Sequence, residues 1–264
     1  MSNKTVYLMP LLFLLTFLMP RALAAEEDTK NEGIGIASGL EVTQQDDAWK
    51  FALSPYMWAT SLKGDSTIGA VKSDIDLEFK DIWDNLNVAG MVDFRAERGR
   101  WAVQTNLLYA NLEADKRVGA SKIDVENTLS IAELTGHYLV TDDLQLLAGA
   151  RYYDIDLDID VTGAVLFSAG GDESWVDPIV GAVYAIPLND RFSLKVRGDV
   201  GGFGAGSDLS WQAWGLLECR LGKRSSIALG YRHLDWDYED GSGNRKFEMD
   251  AYLTGPVLGL RIVF

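Results

Sequence analysis

The sequence predicts an all-β fold: a closed antiparallel transmembrane β-barrel of about ten strands, with short turns at one end and longer loops at the other. Three observations predict it. An apolar N-terminal segment ends in an export-type cleavage site, the rest of the chain alternates between apolar and mixed residues, and the last strand ends on an aromatic, Phe264.

The N-terminus carries Lys4, then an apolar run from Val6 to Met19 that is short for a membrane-spanning helix, which needs roughly 20 residues. Ala22-Leu23-Ala24 supplies the small residues that signal peptidase requires, so cleavage is expected after Ala24. Residues 1–24 are therefore read as a signal peptide. Residues 25–48 (Glu26, Glu27 and Asp28, a Gly-rich stretch, then Asp46 and Asp47) lack a sustained period and are expected to form a flexible lead. Residues 49–264 are the expected barrel.

No later segment is apolar enough to cross a bilayer as a helix. The C-terminus points to strands instead. Phe264, Ile262, Leu260, Leu258 and Pro256 occupy one parity, and Val263, Arg261, Gly259 and Val257 fill the other. Such alternation into a terminal aromatic, in an exported chain, resembles the last strand of Gram-negative outer-membrane barrels. There the terminal residue is the signal that the barrel assembly machinery reads, so Phe264 is the expected assembly signal.

A membrane strand needs roughly 9–11 tilted residues, apolar toward lipid and mixed toward the lumen. Phe192, Leu194, Val196, Gly198 and Val200 alternate with Ser193, Lys195, Arg197 and Asp199. Val88 to Ala96 and Trp211 to Leu221 show the same alternation. Trp101 and Tyr109 bracket Val103, Thr105 and Leu107, one aromatic near each interface. Short links at 98–100, 141–143, 188–190 and 222–224 alternate with longer ones near 116–121, 162–173, 201–208 and 238–245. Short turns belong to the periplasmic side and long loops outside. Trp49 to Leu62 supplies the first upward strand, which leaves residues 63–87 outside and gives ten strands. Twelve requires that Val71–Phe79 also span, with a further strand from Gly33–Val42.

Removing residues 1–24 takes away Lys4, Arg21 and no acid, moving the formal charge from −15 to −17. So acidic a chain has no electrostatic footprint for nucleic acid. Cys219 is the single cysteine, so no internal disulfide forms, and it is read as a small apolar strand residue. Its 8 Trp, 10 Tyr and 26 Gly suit aromatic girdles and tight turns.

Ser54-Pro55-Tyr56-Met57-Trp58, Leu62-Lys63-Gly64, the stretch from Phe79-Lys80-Asp81-Ile82-Trp83 to Asp84-Asn85-Leu86-Asn87, Gly99-Arg100-Trp101 and Gly255-Pro256 together resemble a broad proteobacterial family of outer-membrane barrels. The resemblance covers most of the mature chain. It implies fold and location in the cell outer membrane, among lipid that includes lipopolysaccharide, and assigns no chemistry.

Few constellations carry chemistry. Asp154, Asp156, Asp158 and Asp160 form an acidic ladder. Oxygen ligands suit Ca²⁺ or Mg²⁺, so a divalent cation is weighed against a solvated acidic extension of the wall. Otherwise no cofactor is expected. The ladder continues the lipid-facing parity of Leu144 to Tyr152 and falls above the hydrocarbon. Lys72, Asp74, Asp76 and Glu78 form a second ladder. His233-Leu234-Asp235 invites comparison with the omptin proteases, but both residues share the lipid-side parity of Tyr231, whereas a catalytic dyad must face a groove. His137 has lumen parity. Asp93, Arg95, Glu97, Lys195, Arg197, Asp199, Glu218, Arg220 and Arg261 are expected to face the lumen as a charge network. Paired, they fill a small barrel; unpaired, they line a narrow channel. Three function classes follow: a structural or surface-interaction barrel with a plugged or very narrow lumen, a small porin-like channel, and an outer-membrane hydrolase. The first is favoured, and no catalytic residue is assigned.

Overall fold

A computed structural model describes residues 48–264 except 70, 119–120 and 163–166. The expected signal peptide and nearly all of the lead lie outside the described residues. The strands are β1 (Lys50–Trp58), β2 (Ser61–Ile68), β3 (Val71–Leu77), β4 (Leu86–Arg98), β5 (Trp101–Val118), β6 (Ser121–Leu139), β7 (Leu144–Thr162), β8 (Phe167–Pro187), β9 (Phe192–Gly202), β10 (Leu209–Arg220), β11 (Ser225–Asp240) and β12 (Phe247–Val263). One short helix, α1 (Phe79–Asp84), lies between β3 and β4.

Ten strands, β1 and β4 to β12, form a closed antiparallel barrel, because β12 returns to pair with β1. At the lower end of that seam, Phe51 N–H donates to the Phe264 carbonyl (3.2 Å) and Phe264 N–H to the Phe51 carbonyl (2.9 Å). The same two rings stack with centroids 6.2 Å apart, and Phe94 stacks on Phe51. The expected terminal aromatic is thus the residue that shuts the ring.

β2 and β3 do not make strands eleven and twelve of the barrel. β2 continues β1 along β12 in unchanged register, with Trp58 opposite Val257 and Ser61 opposite Thr254. Only Ala59 and Thr60 interrupt the strand. There the chain lies so close to β12 that a Cβ on Gly255 would sit 2.1 Å from the Ala59 carbonyl oxygen. Trp58 Nε1–H donates to the Gly255 carbonyl (3.2 Å), and Ala59 N–H to that of Pro256 (2.9 Å). β3 then hairpins onto β2, tied by Lys63, which reaches Asp76 at 3.0 Å and Glu78 at 2.5 Å. Hydrogen bonds to Glu78 and then Asp76 hold the Lys63 ammonium above its ordinary pKa. Helix α1 (Phe79–Asp84) opens on a capping interaction in which Asp81 accepts the Glu78 N–H at 3.1 Å.

The upper ends differ from expectation in a second way. Links read as loops near 116–121 and 162–173 are largely strand: β5 to β8 run for 18, 19, 19 and 21 residues, against 11 and 12 for β9 and β10. Polar side chains are compatible with a strand outside lipid as long as the ladder continues, and here it does. One side of the wall therefore rises well above the other.

Parity gives the two faces. Leu134, Leu146, Val180, Val196, Leu217, Leu229 and Leu258 are exposed on the outside. Trp101, Tyr138 and Phe192 ring the lower edge of this band, and Tyr109, Tyr152 and Trp211 ring the upper. Trp101 and Tyr109 are eight residues apart, about 26 Å along a strand and about 20 Å in height at a tilt of roughly 40°, close to the ~25 Å apolar band of membrane barrels. Cys219 is free on this outer parity.

Gly255→Val is expected to lower the urea midpoint of the refolded barrel, by about 1–3 kcal/mol for an overpacked site. Gly90→Ala, with nothing within 4 Å of its added Cβ, is the comparator and is expected to change it little. Equal midpoints for the two variants would contradict the close approach at Ala59.

Candidate functional site in the barrel lumen

The lumen is built in tiers by inward parity. At mid-height, Arg151 of β7 places Nη2 2.9 Å from Glu133 Oε2 (β6) and 2.6 Å from Asp199 Oδ1 (β9). Arg197 of β9 returns to the same acids, Nε to Asp199 Oδ2 at 2.7 Å and Nη2 to Glu133 Oε1 at 2.7 Å. All four side chains are at most 3% exposed. Gln212 of β10 donates to Asp199 (3.0 Å), and its Oε1 accepts from Arg232 of β11 (2.7 Å). Arg232 in turn donates to the Tyr56 hydroxyl of β1 (3.2 Å), which donates to Asn106 of β5 (3.0 Å). One hydrogen-bonded chain thus joins seven strands across the interior.

Above it lies an apolar tier. Trp236, Tyr153, Trp175 and Tyr238 follow one another in ring contact, with Trp175 and Tyr238 centroids 4.0 Å apart. Trp58, Ile131, Leu234 and Leu253 belong to the same buried cluster. The tiers meet where the Arg232 guanidinium lies 4.5 Å over the Trp58 ring, a cation–π contact. On the short side of the wall, the 203–208 link turns inward: Ser207 is fully buried, its N–H donates to Asp177 (2.7 Å), and its hydroxyl accepts from Trp175 Nε1 (2.8 Å). A Cβ on Gly206 would lie 2.6 Å from Asp177 Oδ1, so only glycine fits.

Below the network is a cavity of about 290 Å³. Arg95 bonds Glu97 (3.0 Å), Gln104 (3.1 Å) and Gln145 (2.9 Å), and Gln104 bonds Asp93 (2.7 Å). Lys195 pairs with Glu218 at 2.5 Å, and Ser226 donates to the same carboxylate. Arg261 also lines the cavity.

Of the nine charged residues expected in the lumen, the structure brings eight to this interior. Arg220 is the exception: it has inward parity but stands exposed at the lower rim, where Nη1 donates to the Asp190 carbonyl (3.1 Å). It sits beyond the last tier of partners, so the turn backbone satisfies it. Sequence reasoning missed Arg151, Glu133 and Arg232, which anchor the network. Arg151 lies opposite in parity to Tyr152, Glu133 to Leu134 and Arg232 to Tyr231, so the signal was present. His137 is buried on the inner face, with Nε2 3.0 Å from the Thr135 hydroxyl.

The acidic ladder stays on the outer face above the girdle. Cross-strand partners put Asp160 opposite Asp124, Asp158 opposite Glu126 and Asp156 opposite Asp172. Among the described residues, no three acidic, His or Cys side chains come together to hold a metal. Alternate residues of one strand are roughly 6.6 Å apart, so Asp154, Asp156, Asp158 and Asp160 are spread along the wall and not gathered round one point. Partial burial, then Asp156 and Asp172, pushes the Asp154 carboxyl above its ordinary pKa. His233 also faces outward, 3.8 Å from Asp235 and between the rings of Trp211 and Tyr252, away from the lumen.

No protein-family model and no curated protein matches the sequence. Among solved structures, the chain is similar to the outer membrane protease OmpT of Escherichia coli, at 9% identity over 85% of this chain and 99% of that one, with a TM-score of 0.55. It also aligns with the translocator domain of the autotransporter NalP from Neisseria meningitidis, at 14% identity over 81% of this chain and 88% of that one, TM-score 0.43. For Ail of Yersinia pestis the values are 9%, 82%, 98% and 0.35. The likeness to OmpT is one of fold: this chain has the ten-stranded closed barrel found among Gram-negative outer-membrane proteins.

Arg151→Ala leaves Glu133 and Asp199 short of a partner at a buried site. It is expected to cost about 3–5 kcal/mol of stability, measured by urea unfolding in lipid vesicles. Arg220→Ala, at the wet rim, is expected to cost under about 1 kcal/mol. Comparable losses would refute the tiered assignment.

Proposed function

We propose that the chain is an integral outer-membrane barrel with a closed lumen and a structural or surface-interaction role. The observation that carries this reading is the mid-height network, in which Arg151, Arg197, Glu133 and Asp199 neutralise one another across the interior beneath a stacked aromatic tier. Desolvated charges persist only when paired and hydrogen-bonded, so the arrangement suits a packed core better than a hydrated pore. The apolar band between aromatic girdles supports the membrane setting. The position of Phe264 at the closing seam fits an assembly signal, and the sequence motifs fit the proteobacterial barrel family. The outward orientation of His233 and Asp235 gives no support to a hydrolase. In this setting the tall acidic wall of β5 to β8 stands outside the cell, next to lipopolysaccharide, where divalent ions bridge carboxylates to lipid phosphates.

In planar bilayers the refolded protein is expected to show no resolvable single-channel steps, and Arg197→Ala none either despite its lower stability. Clear steps whose selectivity shifts toward cations in that variant would overturn the closed lumen. Orientation is tested separately with Cys219 replaced. A cysteine at Asp240 is expected to label from outside intact cells and one at Asp142 not to, and the reverse pattern would invert the topology.

A further inference from the structure

The cavity below the charge network has no part in closing the lumen. Its charges do not balance: five cations (Arg95, Lys195, Arg197, Arg232 and Arg261) line it against four carboxylates (Asp93, Glu97, Glu133 and Glu218). Four of the cations have partners already named. Arg95 holds Glu97, Lys195 holds Glu218, Arg197 holds Glu133 and Asp199, and Arg232 spends its donors on Gln212 and Tyr56. The Arg261 side chain forms none of the hydrogen bonds or close ion pairs described above; it faces Asp93 and Glu218 only at longer electrostatic range, and it lines the cavity. It projects from β12 into a space lined by Val183, Trp214 and Leu216 of other strands and by Val257 of its own.

We propose that this cavity binds a small organic monoanion with an apolar body, an aliphatic or aromatic monocarboxylate, whose charge is met by Arg261. A guanidinium offers a planar fork of donors that matches a carboxylate. The excess of one positive charge selects a single negative charge, since a dianion such as succinate brings its second carboxylate against Asp93, Glu97 and Glu218. The apolar wall gives the body of the ligand something to bury against. At about 290 Å³ the space is at the small end of ligand pockets. The proposal rests on the closed-lumen reading in one respect: with the aromatic tier above, the ligand enters and leaves only at the lower, periplasmic end.

The test is isothermal titration calorimetry on the refolded protein in detergent micelles, with benzoate as probe, and benzamide and succinate as its neutral and dianionic counterparts. Benzoate is expected to bind saturably at one site, with benzamide and succinate at least tenfold weaker. Arg261→Gln is expected to weaken benzoate at least tenfold while keeping the heat-modifiable gel shift of the folded barrel. No saturable benzoate binding, equal binding of benzamide, or undiminished binding by folded Arg261→Gln would each overturn the site. The comparison between probes uses the unaltered protein, so it stands even where the variant fails to fold. Bilayer recordings in sodium benzoate separate this site from the reading beneath it. Binding without single-channel steps supports both, whereas binding with steps supports the site and overturns the closed lumen.

Discussion

A sheet whose outer face is apolar has nowhere to hide its edges, and the fold turns on how its first and last strands meet. Phe51 and Phe264 exchange both backbone hydrogen bonds, and their stacked rings cover the joint on the lipid side. Unpaired amides in hydrocarbon cost several kcal/mol each, so a barrel short of this pairing would expose a run of them. The lower half of the barrel is the part where the ring is complete, and it holds the charge network and the cavity. Closure and interior chemistry occupy the same height because fixed walls are what allow buried charges to meet at hydrogen-bond distance.

Inside that ring, partners are shared, not merely paired. Each of two guanidiniums contacts both of two carboxylates, so removing any one member leaves two others underserved. Gln212, Arg232 and Tyr56 then carry the pattern to the far wall. An arrangement of this kind specifies which strand lies opposite which, since a register slip by one residue would turn the whole set toward lipid. Stability and register therefore come from the same residues.

Much of this was legible in the sequence because the period of a strand is two. Parity alone sent Arg197, Asp199, Lys195 and Glu218 inward and His233 outward, and the structure has them so. The ten-stranded count followed from the alternation of short and long links. Three features stayed hidden for physical reasons. Arg151 sits beside the Tyr152-Tyr153 doublet, where two large aromatics on opposite faces blur the alternation. The break at Ala59 and Thr60 leaves register unchanged, so no pattern marks it; its trace is Gly255, nearly two hundred residues away. The tall wall of β5 to β8 was read as loops because polar outward residues imitate loop composition, although cross-strand pairing continues through them.

The seam between β1 and β4 has a mechanical meaning. Those strands pair from Lys50 with Glu97 only as far as Pro55 with Val92. Above that point the wall is bridged from Trp58 N–H to Met91 Sδ at 3.3 Å, while the β2–β3 hairpin hangs from β12 alone. A closed tube resists twisting strongly; the same tube slit along its length does not. Below Pro55 the molecule is a hoop, and above it a cuff with an open placket. A load on the upper rim would therefore open the placket, where few backbone hydrogen bonds are lost, before it strained the charged girder underneath.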